Sequence, residues 1–469
     1  MKIKLGLSPE NMENVALYCG GTLVGENREF EYVCTDSREV DENTLFVATI
    51  GERVDGHNFI PSAQSIGGSC FLCQRIPEGA DTDSSFCVVE DSVAAFASLA
   101  IGYRKNTPID TVAITGSVGK TTTKELTACV LGEGFRLYST EGNFNSVIGM
   151  PMSMLEVGSE CDAAVFEMGM SGFGEIRQMS QAASPKIAAI TNIGTSHLEY
   201  LGTRENIAKA KYEITEGLRE GGTLILNGDE PLLRDLADKE CERDFDILFA
   251  SACGNGDFCA ENIRFTSESS IFDLKYSGGE IKDISVPAIG LHIVYDALFA
   301  CAVGLLMGLD SECIKRGIAK YTPKAYRQRI YNAGGVKIIA DCYNASPESM
   351  RSALDVLSGL EGKRKIAVLG DMRELGKHSA ALHRGVGKFA ADKKIDVLFT
   401  VGELGTQIAD GAALGGMSEE NIYSELDESA ENTVKALKGI ITEGDVILFK
   451  ASRAMKFERI IEQIEKTER

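Results

Sequence analysis

A short loop between a predicted strand and a predicted helix constrains this chain more than any other feature of its sequence. The apolar run Thr111–Thr115 predicts a buried strand, the loop spans Gly116–Thr121, and Thr122–Val130 predicts a helix. This order gathers backbone N–H groups and the positive end of a helix dipole at one place, where a phosphate group can bind. Lys120 adds a positive charge for the outer phosphates, and the Thr121 hydroxyl is suited to holding Mg²⁺. The nucleotide-binding residues predicted in this segment are Gly116, Ser117, Val118, Gly119, Lys120, Thr121 and Thr122.

The loop departs from the full phosphate-loop pattern G-x-x-x-x-G-K-[ST] at one position. Ile114 stands where that pattern has its first glycine. A short G-x-x-G-K-T match can arise by chance, so the loop sequence by itself is a weak signal. The strand before it and the helix after it supply the context that the pattern requires, and we therefore predict a nucleotide site.

Length and composition limit the classes of protein to which the chain can belong. Its 469 residues are enough for about three domains. The formal net charge of −21 argues against a nucleic-acid partner, because phosphate backbones attract basic surfaces. A single nucleotide needs only a local positive pocket and is not excluded by this charge. No apolar run approaches the roughly 20 residues of a membrane span.

The cysteine content and the N-terminal sequence favour a cytoplasmic protein. The 13 cysteines are scattered and odd in number, which is typical of a reducing compartment rather than of a disulfide framework. The N-terminus has no charged-then-apolar segment of the kind that directs secretion. We expect a monomer as the default state.

Two Thr-Pro pairs divide the chain into three predicted domains, because proline disfavours helical backbone in the residue before it. Thr107-Pro108 and Thr322-Pro323 mark boundaries that give domains 1–106, 107–322 and 323–469. The first domain has short strands and one helix and is a small α/β unit. The second alternates strands with helices, which predicts a mostly parallel sheet around the phosphate loop. The third restarts this alternation and predicts an open, doubly wound, Rossmann-like α/β domain.

Polar groups follow two of the strands predicted in the central domain. The strands are expected at 111–115, 163–167, 187–193 and 223–227. Glu167 ends one of them, where a carboxylate beside a phosphate loop can bind Mg²⁺; the alternative is a surface acid. His197 comes shortly after the 187–193 strand, and a metal ligand and a structural histidine are about equally consistent with that position. Lys211 lies in a predicted helix that begins after Thr203, and sequence alone favours a solvated face for it.

The third domain carries polar groups in the loops that follow its predicted strands, where an α/β sheet binds ligands. The strands are expected at 336–341, 365–369, 396–401 and 445–449, with a helix at 347–360. The loops contain Asp341-Cys342-Tyr343-Asn344, then Asp371, and finally Lys450-Ala451-Ser452-Arg453. The two cations of the last loop suggest an anionic ligand, and a C-terminal surface cluster is the alternative.

Taken together, these motifs resemble the Mur ligase family of peptidoglycan synthesis, nearly from end to end. Each motif is weak alone, but their order and spacing are specific. The motifs are Asp36-Ser37-Arg38, Asp55-Gly56-His57-Asn58-Phe59, Thr115 to Thr123, Gly142-Asn143-Phe144-Asn145, Glu167-Met168-Gly169, Thr191-Asn192-Ile193-Gly194 with His197, Ala210-Lys211, Asp341 with Tyr343-Asn344-Ala345, Leu369-Gly370-Asp371-Met372 with Glu374-Leu375-Gly376, and Lys450-Ala451-Ser452-Arg453.

The resemblance implies an ATP- and Mg²⁺-dependent amide ligase. In this family the three domains bind the UDP-sugar substrate, ATP and the incoming amino acid or peptide. Within the family, the chain is similar to the branch that joins D-alanyl-D-alanine to UDP-N-acetylmuramoyl-tripeptide. The substrate carboxylate takes the γ-phosphate to give an acyl phosphate, and the dipeptide amine then displaces phosphate.

The resemblance also assigns roles to residues of this sequence. Catalytic roles fall to Lys120, Glu167, His197 and Lys211, and the metal ligands would be Thr121, Glu167, His197 and Lys211, the last as a carbamate. Beyond the phosphate loop, the nucleotide contacts would be Asp296, Arg327 (with Arg329 as a rival), Asp341, Tyr343 and Asn344. The substrate contacts would be Ser37, Arg38, His57, Asn143, Asn145, Asp371, Lys450, Ser452 and Arg453.

The sequence departs from the family pattern in the segment expected to meet adenine. After Gly290 and His292 the family usually has asparagines that meet adenine, and here the corresponding residues are Ile293 and Asp296. An amide both donates and accepts hydrogen bonds, whereas an ionised carboxylate only accepts. We expect phosphate binding to be less affected by this change than adenine preference.

Two alternatives remain open at the level of sequence. A sister Mur ligase that adds the third amino acid usually carries an Asp-Asn-Pro-Arg motif when it recognises diaminopimelate, and this sequence has none. A catalytically silent nucleotide-binding protein would be expected to have lost Lys120, Glu167 or Lys211, all of which are present.

Overall fold

The chain folds into three α/β units, each built around its own sheet. The computed structural model describes residues 1–51, 54–107, 109–140, 142–240 and 244–466. Pro108, which marks the first boundary predicted from sequence, lies outside the described residues. Among the described residues, no helix combines the length and the apolar character that crossing a bilayer requires.

The first unit is a mixed sheet with the order β1-β5-β6-β7-β8-β3, in which β5 to β8 run parallel. Strands β1 and β3 pair antiparallel at the two edges, and β2 pairs with β4 separately. The elements are β1 (Lys2–Lys4), β2 (Glu10–Asn11), α1 (Met12–Cys19), β3 (Thr22–Val24), β4 (Glu29–Phe30), β5 (Tyr32–Cys34), β6 (Thr44–Val47), α2 (Ile60–Ser65), β7 (Cys70–Cys73), β8 (Ser85–Val88) and α3 (Ser92–Arg104).

Helix α3 attaches the first unit to the rest of the molecule. It begins where the Asp91 carboxylate accepts hydrogen bonds from the N–H groups of Val93 and Ala94, which satisfies two donors that a helix start leaves unpaired. Its apolar residues Phe96 and Leu99 are buried in a core that continues into the central unit. The two units therefore share one hydrophobic core.

The central unit is a large sheet that is parallel over most of its width. Its order is β10-β11-β9-β12-β13-β14-β15-β16-β17, and pairing is parallel from β10 to β15. The elements are β9 (Asp110–Thr115), α4 (Lys120–Leu131), β10 (Leu137–Ser139), α5 (Gly149–Glu156), β11 (Ala163–Glu167), α6 (Glu175–Ala183), β12 (Ile187–Ile190), α7 (Leu198–Leu201), α8 (Arg204–Tyr212), β13 (Thr223–Asn227), α9 (Pro231–Lys239), β14 (Asp246–Ser251), β15 (Phe258–Phe265), β16 (Ser270–Tyr276), β17 (Gly279–Val286), α10 (Leu291–Leu306) and α11 (Ser311–Ala319).

The mostly parallel central sheet predicted from sequence is confirmed, with two corrections. The antiparallel ribbon β15-β16-β17 at one edge was not predicted. The strand expected at 187–193 ends at Ile190, and the side chains of Thr191 and Asn192 just beyond it bond the phosphate loop. Helices cover both faces: Val112 and Ile114 point to the core beneath α4 and α10, whereas Ala113 points to the core shared with the first unit.

The third unit is an open sheet of the order β18-β19-β23-β20-β21-β22, parallel except for the β18–β19 pair. This agrees with the doubly wound architecture that the sequence predicts. The elements are β18 (Arg329–Ala333), β19 (Val336–Ala340), α12 (Pro347–Gly359), β20 (Lys365–Gly370), α13 (Ser379–Asp392), β21 (Val397–Val401), α14 (Gly405–Leu414), β22 (Ile422–Glu425), α15 (Glu431–Ile440), β23 (Val446–Lys450) and α16 (Glu458–Glu465).

Alternation along the strands of the third unit explains why helices pack on both of its faces. In β20, Ala367 and Leu369 belong to a core with α12, α13 and α14, while Ile366 and Val368 belong to a core with α15 and α16. A strand that is buried on both faces has a continuous apolar sequence, and β20 has one.

The carboxyl ends of neighbouring strands bring the predicted functional segments together. In the central sheet β9 lies between β11 and β12, so the phosphate loop, Glu167 and the 191–197 segment share one edge. In the third sheet β23 lies between β19 and β20. One edge of this sheet therefore carries Asp341, Lys450 and the loop after β20. The two edges face each other across a cavity.

Phe449 in β23 gives a test of the third core. Its side chain is fully buried between β23 and α16. We expect Phe449→Ala to lower the free energy of unfolding by about 3–5 kcal/mol, since the substitution removes buried apolar surface and leaves a cavity.

Chemical denaturation followed by circular dichroism measures this change. Phe173→Ala is the matched control, because Phe173 is 54% exposed and such surface changes stay within about 0.5 kcal/mol. Equal stability of the two variants would contradict the placement of Phe449 in the core.

Candidate functional site

The phosphate loop turns sharply between β9 and α4, and two of its glycines make that turn possible. Gly119 has φ of 84°, a left-handed conformation that glycine adopts at little cost. A Cβ on Gly116 would collide with the Thr191 hydroxyl, and one on Gly119 would collide with the Asp296 carboxyl. The loop therefore lies directly against two side chains of the central unit.

The segment after β12 fastens the loop in place. The Oδ1 of Asn192 accepts hydrogen bonds from the N–H groups of Ser117 (3.1 Å) and Val118 (2.9 Å). The Thr191 hydroxyl donates to the Val118 carbonyl at 2.7 Å. Thr191 and Asn192 belong to one of the motifs of the sequence, which does not reveal their role. Their hydrogen bonds join residues that are 73 or more positions apart, and such bonds leave no local pattern.

Two lysines lie beside the loop. Lys120 is half-buried and donates to the carbonyl of Gly116 at 2.7 Å, and desolvation lowers the pKa of its ammonium. Lys211 in α8 is 1% exposed rather than on a solvated face, which corrects the interpretation from sequence alone. Burial, reinforced by the charge of Lys120, holds the pKa of Lys211 well below its ordinary value. The surroundings of Lys211 therefore favour its neutral amine.

Oxygen donors meet at the end of β11. The Thr121 hydroxyl donates to Oε2 of Glu167 at 2.8 Å, and the Asn145 side-chain amide donates to Oε1 at the same distance. Glu167 is 3% exposed but lines the cavity. A buried carboxylate next to a hydroxyl is a donor set that Mg²⁺ prefers.

His197 lies on the same edge, just before α7. Its Nδ1 is 2.7 Å from Oε2 of Glu374 in the third unit. The N–H direction at Nδ1 is not aligned with that oxygen, so the two atoms are in close contact without a linear hydrogen bond. The His197 imidazole lowers the pKa of the Glu374 carboxyl.

Asp296 in α10 lies beneath the loop. It is 5% exposed and accepts a hydrogen bond from the Thr123 hydroxyl at 2.9 Å. Burial raises the pKa of Asp296 to about 8. Near neutral pH this side chain is therefore a carboxylic acid that can both donate and accept, as an amide can. The structure thus corrects the expectation that Asp296 only accepts.

The third unit supplies the opposite wall. Lys450 is buried and its ammonium lies 2.7 Å from Oδ2 of Asp341. The guanidinium of Arg327 lies 3.8 Å from the centre of the Tyr343 ring, a cation–π contact, and the Tyr343 hydroxyl donates to Oδ1 of Asn143 in the central unit.

Arg327, and not its rival Arg329, reaches the cavity. Arg327 lines it, whereas Arg329 is exposed in β18 with its guanidinium 5.1 Å from the Tyr331 ring. The cavity has a volume of about 400 Å³. Most of the predicted nucleotide, metal and catalytic residues line it, namely Ser117, Val118, Gly119, Lys120, Thr121, Thr122, Asn143, Asn145, Glu167, His197, Asp296, Arg327, Asp341, Tyr343, Asn344 and Lys450.

Three predicted substrate residues of the third unit do not line this cavity. Asp371 is 2% exposed and accepts a hydrogen bond from the Gly405 N–H at the start of α14. Ser452 is buried and donates to the carbonyl of Asp371. Arg453 is exposed and pairs with Glu458, and its guanidinium lies 5.7 Å from the centre of the Tyr343 ring at the cavity wall. The first two anchor loops within the third unit, so direct ligand contact does not fit their positions.

The predicted substrate residues of the first unit form a separate group. Ser37 and Arg38 lie on a surface turn, where Arg38 pairs with Asp36 at 2.5 Å. The His57 ring is fully buried: Nδ1 lies 2.7 Å from Asp55, and Nε2 accepts from the N–H of Gln74. Both ring nitrogens are occupied, so His57 fits a positioning role better than the direct contact that the sequence predicts.

Asp296→Asn tests the neutral carboxylic acid. Ionisation of Asp296 would bring a negative charge under the phosphate loop, so we expect ADP affinity of the native protein to fall as pH rises through about 8. The asparagine variant lacks this step. Calorimetric titration of both proteins with ADP between pH 6.5 and 9 measures the difference.

Stability provides a second readout of the same group. The unfolded chain releases this proton near pH 4, whereas the folded protein keeps it until about pH 8. Stability of the native protein relative to Asp296→Asn should therefore decline as pH rises across that window. Parallel pH profiles for the two proteins, in binding and in unfolding, would show that Asp296 is already ionised.

Comparison with known proteins gives matches along nearly the whole chain. Residues 29–104 match the family model described as Mur ligase family, catalytic domain. Residues 114–304 match the Mur ligase middle domain, and residues 327–453 match the Mur ligase, glutamate ligase domain. The chain is 37% identical to the UDP-N-acetylmuramoyl-tripeptide–D-alanyl-D-alanine ligase of Bacillus subtilis, over 97% of this chain and 98% of that one.

Solved structures agree with this relationship. The chain superimposes on MurF from Acinetobacter baumannii with a TM-score of 0.90 at 28% identity, covering 99% of this chain and 100% of the other. MurF ligase from Thermotoga maritima in complex with ADP gives a TM-score of 0.82 at 30% identity, covering 92% and 97%. The phosphate loop, the facing third unit and these full-length matches lead to one conclusion: the chain belongs to the Mur ligase family.

Proposed function

We propose that this protein is the ATP-dependent ligase that joins D-alanyl-D-alanine to UDP-N-acetylmuramoyl-tripeptide in peptidoglycan precursor synthesis, releasing ADP and phosphate. The observation that carries the proposal is the cavity between the central and third units, which Lys120 and Glu167 line beside the phosphate loop, with Lys211 buried within range of the Lys120 charge. Relatives that carry the name of this activity match over 97% of the chain at up to 37% identity.

The three units would divide the substrates among them. We assign the UDP-sugar to residues 1–106, ATP to residues 107–322, and the dipeptide to residues 323–469. The assignment of the dipeptide to the third unit is supported by Lys450 and Arg327, two cationic side chains that line the cavity. An incoming dipeptide carries a carboxylate that such groups can hold.

Lys120 and the loop amides would hold the β- and γ-phosphates. The Lys120 ammonium needs only to release the carbonyl of Gly116 to reach a ligand in the cavity. The N–H groups of Ser117 and Val118 are bonded to the Asn192 oxygen, so the amides that would hold phosphate are those at the start of α4. Asn143 and Asn145 also line the cavity, and we assign them contacts to the reacting carboxylate.

The residues present fit Mg²⁺, which we propose as the second requirement. Thr121 and Glu167 would hold one ion, and His197 with a carbamate on Lys211 would hold another. His197 lines the same cavity as Thr121 and Glu167. When bound, Mg²⁺ would neutralise the two anions that must approach each other.

The reaction splits one difficult step into two. A carboxylate oxygen of the tripeptide forms a bond to the γ-phosphorus as the bond to the bridging oxygen breaks, which releases ADP. The neutral amine of D-alanyl-D-alanine then forms a C–N bond to the acyl carbon, the C–O bond to phosphate breaks, and the ammonium proton leaves. A buried, water-poor cavity protects the acyl phosphate from hydrolysis.

We further propose a cytoplasmic monomer with no nucleic-acid partner. The described cysteines are all free thiols, which is consistent with a reducing compartment. The net charge of −21 disfavours binding to a phosphate backbone.

Phosphate release tests the proposed function. Purified protein with ATP, Mg²⁺ and UDP-N-acetylmuramoyl-tripeptide should release phosphate only when D-alanyl-D-alanine is added, with a pentapeptide product of matching mass. Lys120→Ala should lose about 10²-fold or more of the rate while keeping its circular dichroism spectrum. Release with a UDP-dipeptide and a free amino acid would instead identify the sister ligase, and no release with either, despite ATP binding, would indicate a binding protein.

Lys211 supplies a prediction about carbamylation. A neutral buried amine can take up CO₂, losing one proton, to become an anionic carbamate. Lys211→Ala should therefore lose about 10²-fold or more of the activity, and short carboxylic acids such as acetate or formate should restore part of it.

Lys209→Ala is the matched control, because Lys209 is exposed on the same helix. It should keep its activity and show no response to added acid. Failure of every acid to restore a folded Lys211→Ala protein would argue against the carbamate.

A further inference from the structure

The third unit holds the segment that carries His197. Glu374, in the loop after β20, lies 2.7 Å from Nδ1 of His197 through its carboxylate. The carbonyl of the same glutamate accepts a hydrogen bond from the N–H of Glu199 at 3.1 Å. Gly376, two residues on, packs against Glu199, where a Cβ would come within 3.1 Å of its Cα. One turn of the third unit therefore contacts both His197 and Glu199, two residues further along the chain.

A second acid of the third unit contacts the same segment. Glu348, near the start of α12, accepts a hydrogen bond from the Thr195 hydroxyl at 3.1 Å. A Cβ on Gly194 would lie 2.9 Å from the Glu348 carboxyl carbon and 3.1 Å from the Cβ of Ser117. Segment 194–199 is thus enclosed between the phosphate loop and the third unit.

His197 has a backbone conformation that a residue with a side chain rarely adopts. Its φ is 64°, in the left-handed region, where most residues with a Cβ are disfavoured. Such a conformation persists when the surroundings determine it, and here part of those surroundings belongs to another unit. Orientation of the imidazole is therefore tied to the seating of the third unit.

We propose that Glu374 is a positioning residue that holds the imidazole of His197 through Nδ1, so that His197 becomes a competent cation ligand only when the third unit is seated on the central one. The inference rests on the proposed function for the identity of the cation. With Nδ1 turned to Glu374, Nε2 is the ring nitrogen left for a ligand in the cavity that His197 lines.

General chemistry explains why such a partner matters. A metal-binding imidazole usually donates its other N–H to a carboxylate or carbonyl, which fixes the tautomer and raises the basicity of the ligating nitrogen. Loss of that outer partner typically costs about 10–100-fold in metal affinity. Because this carboxylate belongs to a different unit from the ligand it supports, the second cation would bind tightly only in the closed molecule.

Mn²⁺ binding to the full-length protein tests the inference without turnover. Free Mn²⁺ is measured by electron paramagnetic resonance in the presence of ADP, for the native protein, Glu374→Ala, Glu374→Gln and the control Glu420→Gln. Glu420 is exposed in the third unit, far along the chain from the cavity segments. We expect Glu374→Ala to weaken the second Mn²⁺ by about 10–100-fold. Glu374→Gln should lie closer to the native protein, since its amide oxygen still accepts from Nδ1–H.

A double-mutant cycle distinguishes positioning from general stability. If Glu374 acts through His197, then adding Glu374→Ala to His197→Ala should weaken Mn²⁺ binding no further. Glu348→Gln disturbs the same interface without touching His197 and should leave the second Mn²⁺ affinity near that of the Glu420→Gln control. Additive effects in the cycle, equal losses in Glu348→Gln and Glu374→Ala, or a single Mn²⁺ in the native protein would each overturn the inference.

The measurements distinguish failure of the proposed function from failure of this inference. The Mn²⁺ measurements use ADP alone and need neither peptide substrate. If the native protein released no phosphate with the tripeptide and dipeptide, the ligase assignment would fall, whereas the effect of Glu374→Ala on Mn²⁺ would still be read directly. Native activity combined with an unchanged second Mn²⁺ in Glu374→Ala would overturn the inference and leave the ligase assignment intact.

Discussion

The rest of the site depends on the hydrogen bonds that the phosphate loop donates to Asn192. Two loop amides donate to one side-chain oxygen, and Thr191 holds the next carbonyl. Because these bonds come from the end of β12, they fix the loop to the neighbouring strand as well as to its own. The Thr191 N–H still donates to the carbonyl of Thr115 in β9, so the backbone of this segment stays tied to the sheet while its side chains hold the loop.

Electrostatics of the cavity follow from burial more than from net charge. The chain carries a formal charge of −21, but the site contains two lysines whose pKa is lowered by desolvation and a carboxylic acid whose pKa rises to about 8. Burial drives all three towards their neutral forms, which reduces the cost of keeping them together. Bound polyphosphate would reverse this tendency for Lys120, because an adjacent anion favours the charged ammonium.

The sequence predicts the parts of the fold that depend on local patterns. Apolar runs that end in polar loops predict β9 and β11 closely, and with them the meeting of Thr121 and Glu167. Contacts between distant segments were not predictable: Glu374 meets His197 across a unit boundary, and no spacing rule connects them. Lys211 shows the same limit, since its helix looks solvated in sequence and only the packed structure reveals its burial. The periodicity of apolar residues indicates which face of a helix or strand is buried. It does not indicate which other segments pack against that face, and those segments complete the site.

Gly194 lies at a close contact between the central and third units. A Cβ at this position would come within 3.1 Å of the Cβ of Ser117 and within 2.9 Å of the carboxyl end of Glu348. The Glu348 carboxylate can rotate away, whereas Ser117 belongs to the phosphate loop that Asn192 holds. An added methyl group would therefore displace Glu348 from Thr195 before it moved the phosphate loop. The absence of a side chain at Gly194 thus preserves a bond between the two units, and a larger residue there would loosen their contact while leaving the nucleotide loop in place.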